Sequence, residues 1–191
     1  MVEYVCVDVD GVLLNLCGAL KPYLKRTRDI DFDPSKVKKY NFHDCGVDHK
    51  IIYSCFNEPE FFDELKPFDG AFEALKKLQQ IIKTKAYTAS QDIEEIYTKR
   101  DKLCETLGLE GKSYPSGMKP TDLQAIALFD DCLAVHKQWL SEGSQAYHFL
   151  IDAPYNQQTN ENFSSLDWSR IIRCKNFEDA VSKFEKLYRK C

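Results

Sequence analysis

A short apolar run near the N-terminus, Tyr4-Val5-Cys6-Val7, constrains the fold more than any other part of the chain. Four such residues in a row suit an interior strand of a parallel sheet, buried on both faces. The run ends in Asp8-Val9-Asp10-Gly11, two carboxylates and a glycine that building a sheet does not call for. In open α/β sheets, ligands bind beyond the carboxyl ends of the strands. Alternation puts Asp8 and Asp10 on a shared side, and Gly11 permits a sharp turn. Such a pair can hold a hard cation, or divide nucleophile and acid/base roles. The plain alternative is a turn whose aspartates only satisfy backbone amides.

The rest of the chain bears on that choice. From Phe68 onward helices and strands alternate. A helix runs from an Asp69-Gly70 cap to Gln80, a strand over 84–88, and a helix over 92–107 stopped by Gly108. Short strands follow near Ser113-Tyr114, over 125–129, over 146–151 and over 170–173, then a terminal helix over 177–189. This order predicts a parallel sheet covered on both faces. The first helix spans 14–28, where Pro22 marks a kink or a fresh start. Residues 29–67 differ in character, rich in aromatics, prolines and charges, and too long for an ordinary βα connection. The expected division is a catalytic core of 1–15 and 68–191 with a small helical cap, 16–67, inserted after the first strand.

Four candidate positions fall at ends of predicted parallel strands, on one rim of the sheet: Asp8 with Asp10, Thr88 with Ser90, the loop carrying Lys119, and Asp130-Asp131. Each alone has a bland account, as a helix cap, a surface cation or a loop acid. Together, in this order, they suit phosphoryl transfer, which needs a nucleophile, cations and orienting donors. Asp8 can attack as a carboxylate and form an aspartyl-phosphate. Lys119 and Thr88 offer a cation and a hydroxyl to the transferring group. Mg²⁺ suits a site of carboxylates and a backbone carbonyl. Asp10 can protonate the leaving alkoxide and then take a proton from the attacking water. Acid catalysis by Asp10 requires surroundings that hold its proton.

Composition excludes several other classes. A net charge of −4 gives no general attraction to nucleic acid or anionic membranes. No run is long enough to cross a bilayer and no cleavable apolar segment opens the chain, so a cytoplasmic protein is expected. The eight cysteines are scattered without a Cys-x-x-Cys pair, and His43, Cys45 and His49 lack a second cluster. Reduced thiols are therefore expected in place of structural zinc or disulfides.

The pattern Asp8-Val9-Asp10-Gly11-Val12, Thr88, Lys119, Asp130-Asp131 resembles the haloacid dehalogenase-like phosphatase superfamily, and within it the 5′(3′)-deoxyribonucleotidase family. The stretch Phe61-Phe62-Asp63-Glu64-Leu65-Lys66-Pro67-Phe68-Asp69-Gly70-Ala71, the loop Asp152-Ala153-Pro154-Tyr155-Asn156-Gln157 and Asp167-Trp168 carry the family-level likeness. The resemblance implies a Rossmann-like three-layer αβα core with a parallel sheet and a small helical cap. It implies Asp8 as nucleophile and metal ligand, and Asp10 as acid/base with its backbone carbonyl on Mg²⁺. Thr88, Ser90 and Lys119 would bind phosphate, and Asp131 would be the primary Mg²⁺ ligand with Asp130 in support.

The chain departs from the family at three places. Ala89-Ser90 follows Thr88 where nucleotidases have Ser-Pro, so one phosphate-contacting hydroxyl is displaced to Ser90 or missing. Asn15 replaces a common acid, and Pro120 follows the lysine where relatives have threonine. The expected substrate is a nucleoside or deoxynucleoside monophosphate. One or two of Phe32, Tyr40, Phe42, Tyr53, Phe56, Phe61 and Phe62 would face its base, and the others would form the cap's own core. Another small phosphate ester, a nucleic-acid end phosphate and a catalytically silent binding module are the alternatives.

Overall fold

The computed structural model describes residues 2–43, 45–90, 94–111, 113–115, 119–157 and 167–189, with backbone alone at 90 and 95–99. Along the chain these form β1 (Tyr4–Val7), α1 (Leu16–Arg28), α2 (His49–Cys55), α3 (Pro59–Asp63), α4 (Ala71–Ile81), β2 (Lys83–Ala86) and β3 (Ala89–Ser90). There follow α5 (Glu94–Thr106), β4 (Tyr114–Pro115), β5 (Ala127–Asp130), α6 (Leu133–Ser141), β6 (Tyr147–Ile151), β7 (Ile171–Cys174) and α7 (Phe177–Tyr188). Five strands make a parallel sheet in the order β2-β1-β5-β6-β7. The strand with the paired aspartates is thus interior, flanked by β2 and β5.

Strand alternation builds the layers. Val5, Val7, Ala127, Phe129, Phe149 and Ile151 pack with Leu75 and Leu78 of α4 and Phe177, Val181 and Phe184 of α7. On the opposite face Tyr4, Cys6 and Leu128 meet Trp139 of α6, and Leu150 meets Leu133 of the same helix. Helices therefore cover both faces, which is the three-layer αβα arrangement expected of near-continuous apolar strands. Among the described residues no helix is long and apolar enough to cross a membrane.

Between β1 and α4 the chain packs around a core of its own: Leu20, Tyr23 and Leu24 of α1, Phe32, Val37, Phe42, Ile52, Cys55, Phe56 and Phe61. α1 runs through Pro22 without interruption. Its buried face of Ala19, Leu20, Tyr23 and Leu24 straddles the proline, and that burial outweighs the single helix hydrogen bond the proline removes. Asn15 caps this helix, its side chain accepting from the Gly18 amide at 2.8 Å.

Three other expectations are corrected. The strand expected over 84–88 ends at Ala86, after which Ala89 and Ser90 pair with Tyr114 and Pro115 in a separate two-stranded sheet. The strand expected near Ser113-Tyr114 is this small ribbon, outside the main sheet. At α4 the cap residue is Gly70 itself, with φ +74° and no side-chain cap hydrogen bond.

Candidate active site

Every site residue expected from sequence whose side chain is described lies at the carboxyl rim of β1, β2 and β5. Asp8 directly follows β1, its amide still bonded to the Phe129 carbonyl at 2.9 Å. One Asp8 oxygen accepts from the Val9 amide at 2.7 Å and the other pairs with Lys119 Nζ at 3.0 Å. The chain then folds back tightly, Gly11 N–H donating to the Leu14 carbonyl at 2.9 Å. Gly11 has φ +78°, and a Cβ there would run into the Asp131 carboxylate, so a side chain is excluded twice over.

Asp130 closes β5 and is fully buried. Its Oδ1 accepts from the Cys132 amide at 2.7 Å and its Oδ2 from Lys119 Nζ at 2.9 Å. Asp131 accepts from the Tyr155 hydroxyl through Oδ2, while Asn156 Nδ2 donates to its backbone carbonyl at 2.8 Å. The loop bearing Lys119 is tied down by Tyr87, whose hydroxyl donates to the Pro120 carbonyl at 2.9 Å and accepts from Trp139 Nε1 at 2.9 Å. Thr88 lies two residues past β2 and is buried. Ser90 falls in β3, but its side chain lies outside the described residues.

These groups share one electrostatic problem. Burial pushes the Asp8 carboxyl up to about 6, with Asp130 adding to the effect and Lys119 opposing it. Burial, then Asp130 and Asp8, raise Asp131 well above the usual carboxylate range, against the Tyr155 hydrogen bond. Burial disfavours charge on Lys119 too, yet Asp130 and Asp8 outweigh it and raise the ammonium pKa. One ammonium therefore faces a group of three carboxylates, Asp8, Asp130 and Asp131, whose oxygens lie within 4.8 Å of one another. An all-oxygen set carrying more negative than positive charge has the chemistry to accept a hard divalent cation.

Asp10 is arranged differently. Its Oδ2 pairs with the guanidinium of Arg100 from α5, so its nearest charged neighbour is a cation. Arg100 is buried, which lowers its pKa to about 10. Its guanidinium carbon lies 5.2 Å from the centre of the Phe62 ring. Sequence reasoning missed Arg100 and Tyr155. The first is one cation on a charge-rich helix, and the second stands in a loop that was noted without a role.

Asp8, Asp10, Thr88, Lys119 and Asp131 line one cavity of about 150 Å³. Its other wall is aromatic: Tyr40, Phe42, Tyr53, Phe56, Phe62 and Tyr155. Five of these belong to the aromatics of 29–67, where one or two were expected to face the site. Phe42 and Phe56 do so from within the segment's own core, since a small core places its inner residues close to its surface. Phe32 and Phe61 remain in that core and do not line the cavity.

The family model and the fold together make this chain a phosphatase of the haloacid dehalogenase-like superfamily. A haloacid dehalogenase-like protein from Burkholderia xenovorans superposes with a TM-score of 0.61 at 15% identity, covering 98% of this chain and 99% of that one. One from Streptococcus pneumoniae gives 0.61 at 13% identity over 96% and 98%. A family hydrolase from Deinococcus radiodurans, solved with bound phosphate and sodium, gives 0.53 at 14% identity over 99% and 96%. Within the superfamily the chain belongs to the family described as 5′ nucleotidase, deoxy (pyrimidine), cytosolic type C protein, whose model matches residues 1–106. No curated protein matches the sequence.

Proposed function

We propose that this protein is a Mg²⁺-dependent phosphomonoesterase acting on nucleoside or deoxynucleoside monophosphates through an aspartyl-phosphate on Asp8. The observation that carries the reading is a set of buried polar atoms with no partner among the described residues. Asp10 Oδ1, Thr88 Oγ1 and Asp131 Oδ1 are all such atoms, and all three residues line the one cavity. Buried polar groups are normally satisfied, so orphans converging on a cavity mark the place of a polar ligand.

In this reading Asp131, Asp8 and Asp130 hold Mg²⁺, with the backbone carbonyl of Asp10, and Asp130 also steadies Lys119. The ion, when bound, neutralises the phosphoryl oxygens and the excess carboxylate charge. Asp8 attacks phosphorus and the ester P–O bond breaks. To act as the acid, Asp10 must first take a proton from solvent on Oδ1, the oxygen that Arg100 leaves open, and it then gives that proton to the departing alkoxide. Asp10 then takes a proton from water, which attacks the acyl phosphate, frees inorganic phosphate and restores Asp8. Thr88, Ser90 and Lys119 orient the phosphoryl group. Residues 16–67 form the cap, and their aromatic wall receives the base by stacking. The family description supports a nucleotide as substrate and a cytosolic site of action.

The test is phosphate release from deoxy- and ribonucleoside 5′- and 3′-monophosphates, with sugar phosphates as controls, each in Mg²⁺ or EDTA. Mg²⁺-dependent release favouring nucleotides is expected. Release from sugar phosphates alone would keep Asp8 as nucleophile and refute the base-binding role of the cap. No release from any ester by the folded protein in Mg²⁺ would refute the enzymatic reading.

A further inference from the structure

We infer that Tyr155 is a positioning residue for Asp131, fixing the plane of its carboxylate so that Oδ1 alone faces the cation site. The inference rests on the metal-dependent reading above and concerns a residue outside the set that reading uses. The second torsion of an aspartate is soft, so an unrestrained carboxylate samples a broad range of orientations. Asp131 is restrained from three directions. The Tyr155 hydroxyl donates to Oδ2, and Gly11 lies so close to the same oxygen that a methyl group on it would collide. Asn156 Nδ2 holds the backbone carbonyl at 2.8 Å. What is left over is Oδ1, which is buried and has no partner among the described residues.

Tyr155 is itself held for this task. It sits in a single 3-10 turn, Pro154–Asn156, after β6. Arg173 of β7 fastens that turn, donating to the Asp152 carboxylate at 2.5 Å and to the Asn156 carbonyl at 2.7 Å. The ring lies edge-on to Tyr40, centroids 5.5 Å apart, which links the turn to the segment between β1 and α4. A tyrosine present only for packing would not need its hydroxyl on a carboxylate. Partners of metal ligands that stand one step back typically change metal affinity by about 10- to 100-fold when removed.

The experiment is calorimetric titration of Mg²⁺ into the wild-type protein and into Tyr155→Phe, which loses one hydroxyl and keeps the ring on Tyr40. Thermal melting of both without metal checks that the fold is intact. Mg²⁺ affinity in Tyr155→Phe is expected to fall about tenfold, with melting unchanged. Equal affinity in the two proteins overturns the inference and leaves the metal reading standing. A wild-type protein that binds no Mg²⁺ overturns the metal reading, and the inference with it. A parallel loss of melting temperature and affinity would make Tyr155 a structural residue and overturn the positioning role.

Discussion

Arg100 of α5 reaches across to Asp10 behind β1, forming an ion pair whose side chains are only 3% and 20% exposed. Partners 90 positions apart in sequence meet where the catalytic acid/base is proposed to act. Removing one member of a buried pair leaves the other charge desolvated and uncompensated. Arg100→Leu should therefore cost about 3 kcal/mol of stability, read as a lower urea midpoint. Adding Asp10→Asn should restore part of that loss. Additive losses in the double variant would show that the pair is not coupled.

Asp8→Asn should lower turnover at least about a thousandfold, because an amide is near-isosteric with the carboxylate but a poor nucleophile. Burial holds the native carboxyl up at about 6, so the variant also removes a poorly solvated charge. Its melting temperature in metal-free buffer at pH 7 should be no lower than wild type. Activity above a few per cent would sink covalent catalysis through this residue.

Thr88→Val tests the orphaned hydroxyl. Thr88 Oγ1 is buried and bonded to none of the described residues, so its loss removes a desolvation cost and no hydrogen bond among them. The variant should be as stable as wild type or more so. It should bind inorganic phosphate about tenfold more weakly, as competitive inhibition would measure. A destabilised variant with undiminished phosphate binding would assign the hydroxyl to the fold and not to the ligand.

These residues were legible in the sequence to different degrees, for physical reasons. Asp8, Asp10 and Asp130-Asp131 stand out because two pairs of carboxylates at the ends of apolar strands exceed what the backbone amides there call for. Sheet order and layering follow from unbroken apolar strands alternating with amphipathic helices. The Arg100–Asp10 pair was not legible, because a helix with many charged residues gives no sign of which one turns inward. Tyr155 belongs to a loop, where no periodicity tells the direction of a side chain. The Ala89–Ser90 and Tyr114–Pro115 ribbon was missed because two-residue strands have no period to detect.

His136 and His148, which do not line the cavity, give the fold a pH dependence of stability. His136 Nε2 lies 3.1 Å from the Asp130 carbonyl, which can only accept, so that nitrogen carries the proton. His136 Nδ1 is then the acceptor for His148 Nδ1–H, at 3.1 Å. That leaves His148 Nε2 bare, buried and without a partner among the described residues. A further proton would be desolvated and would face His136 and Arg170, and His148 is accordingly lowered to about 3, burial being the main cause. The unfolded histidine titrates near 6.5, above the folded value. Above that pH both states are neutral and the residue adds no slope. Below it the unfolded chain binds a proton that the fold refuses, so stability falls as pH falls from 6.5 toward 3. The slope is about 1.4 kcal/mol per pH unit for one histidine once the unfolded chain is fully protonated. Asp8, raised to about 6, contributes with the opposite sign in part of this window, but equally in wild type and in a His148 variant. Urea midpoints of wild type and His148→Asn between pH 7.5 and about 5 should therefore diverge, wild type losing more stability on acidification. Parallel curves would mean that His148 is protonated as readily in the fold as outside it.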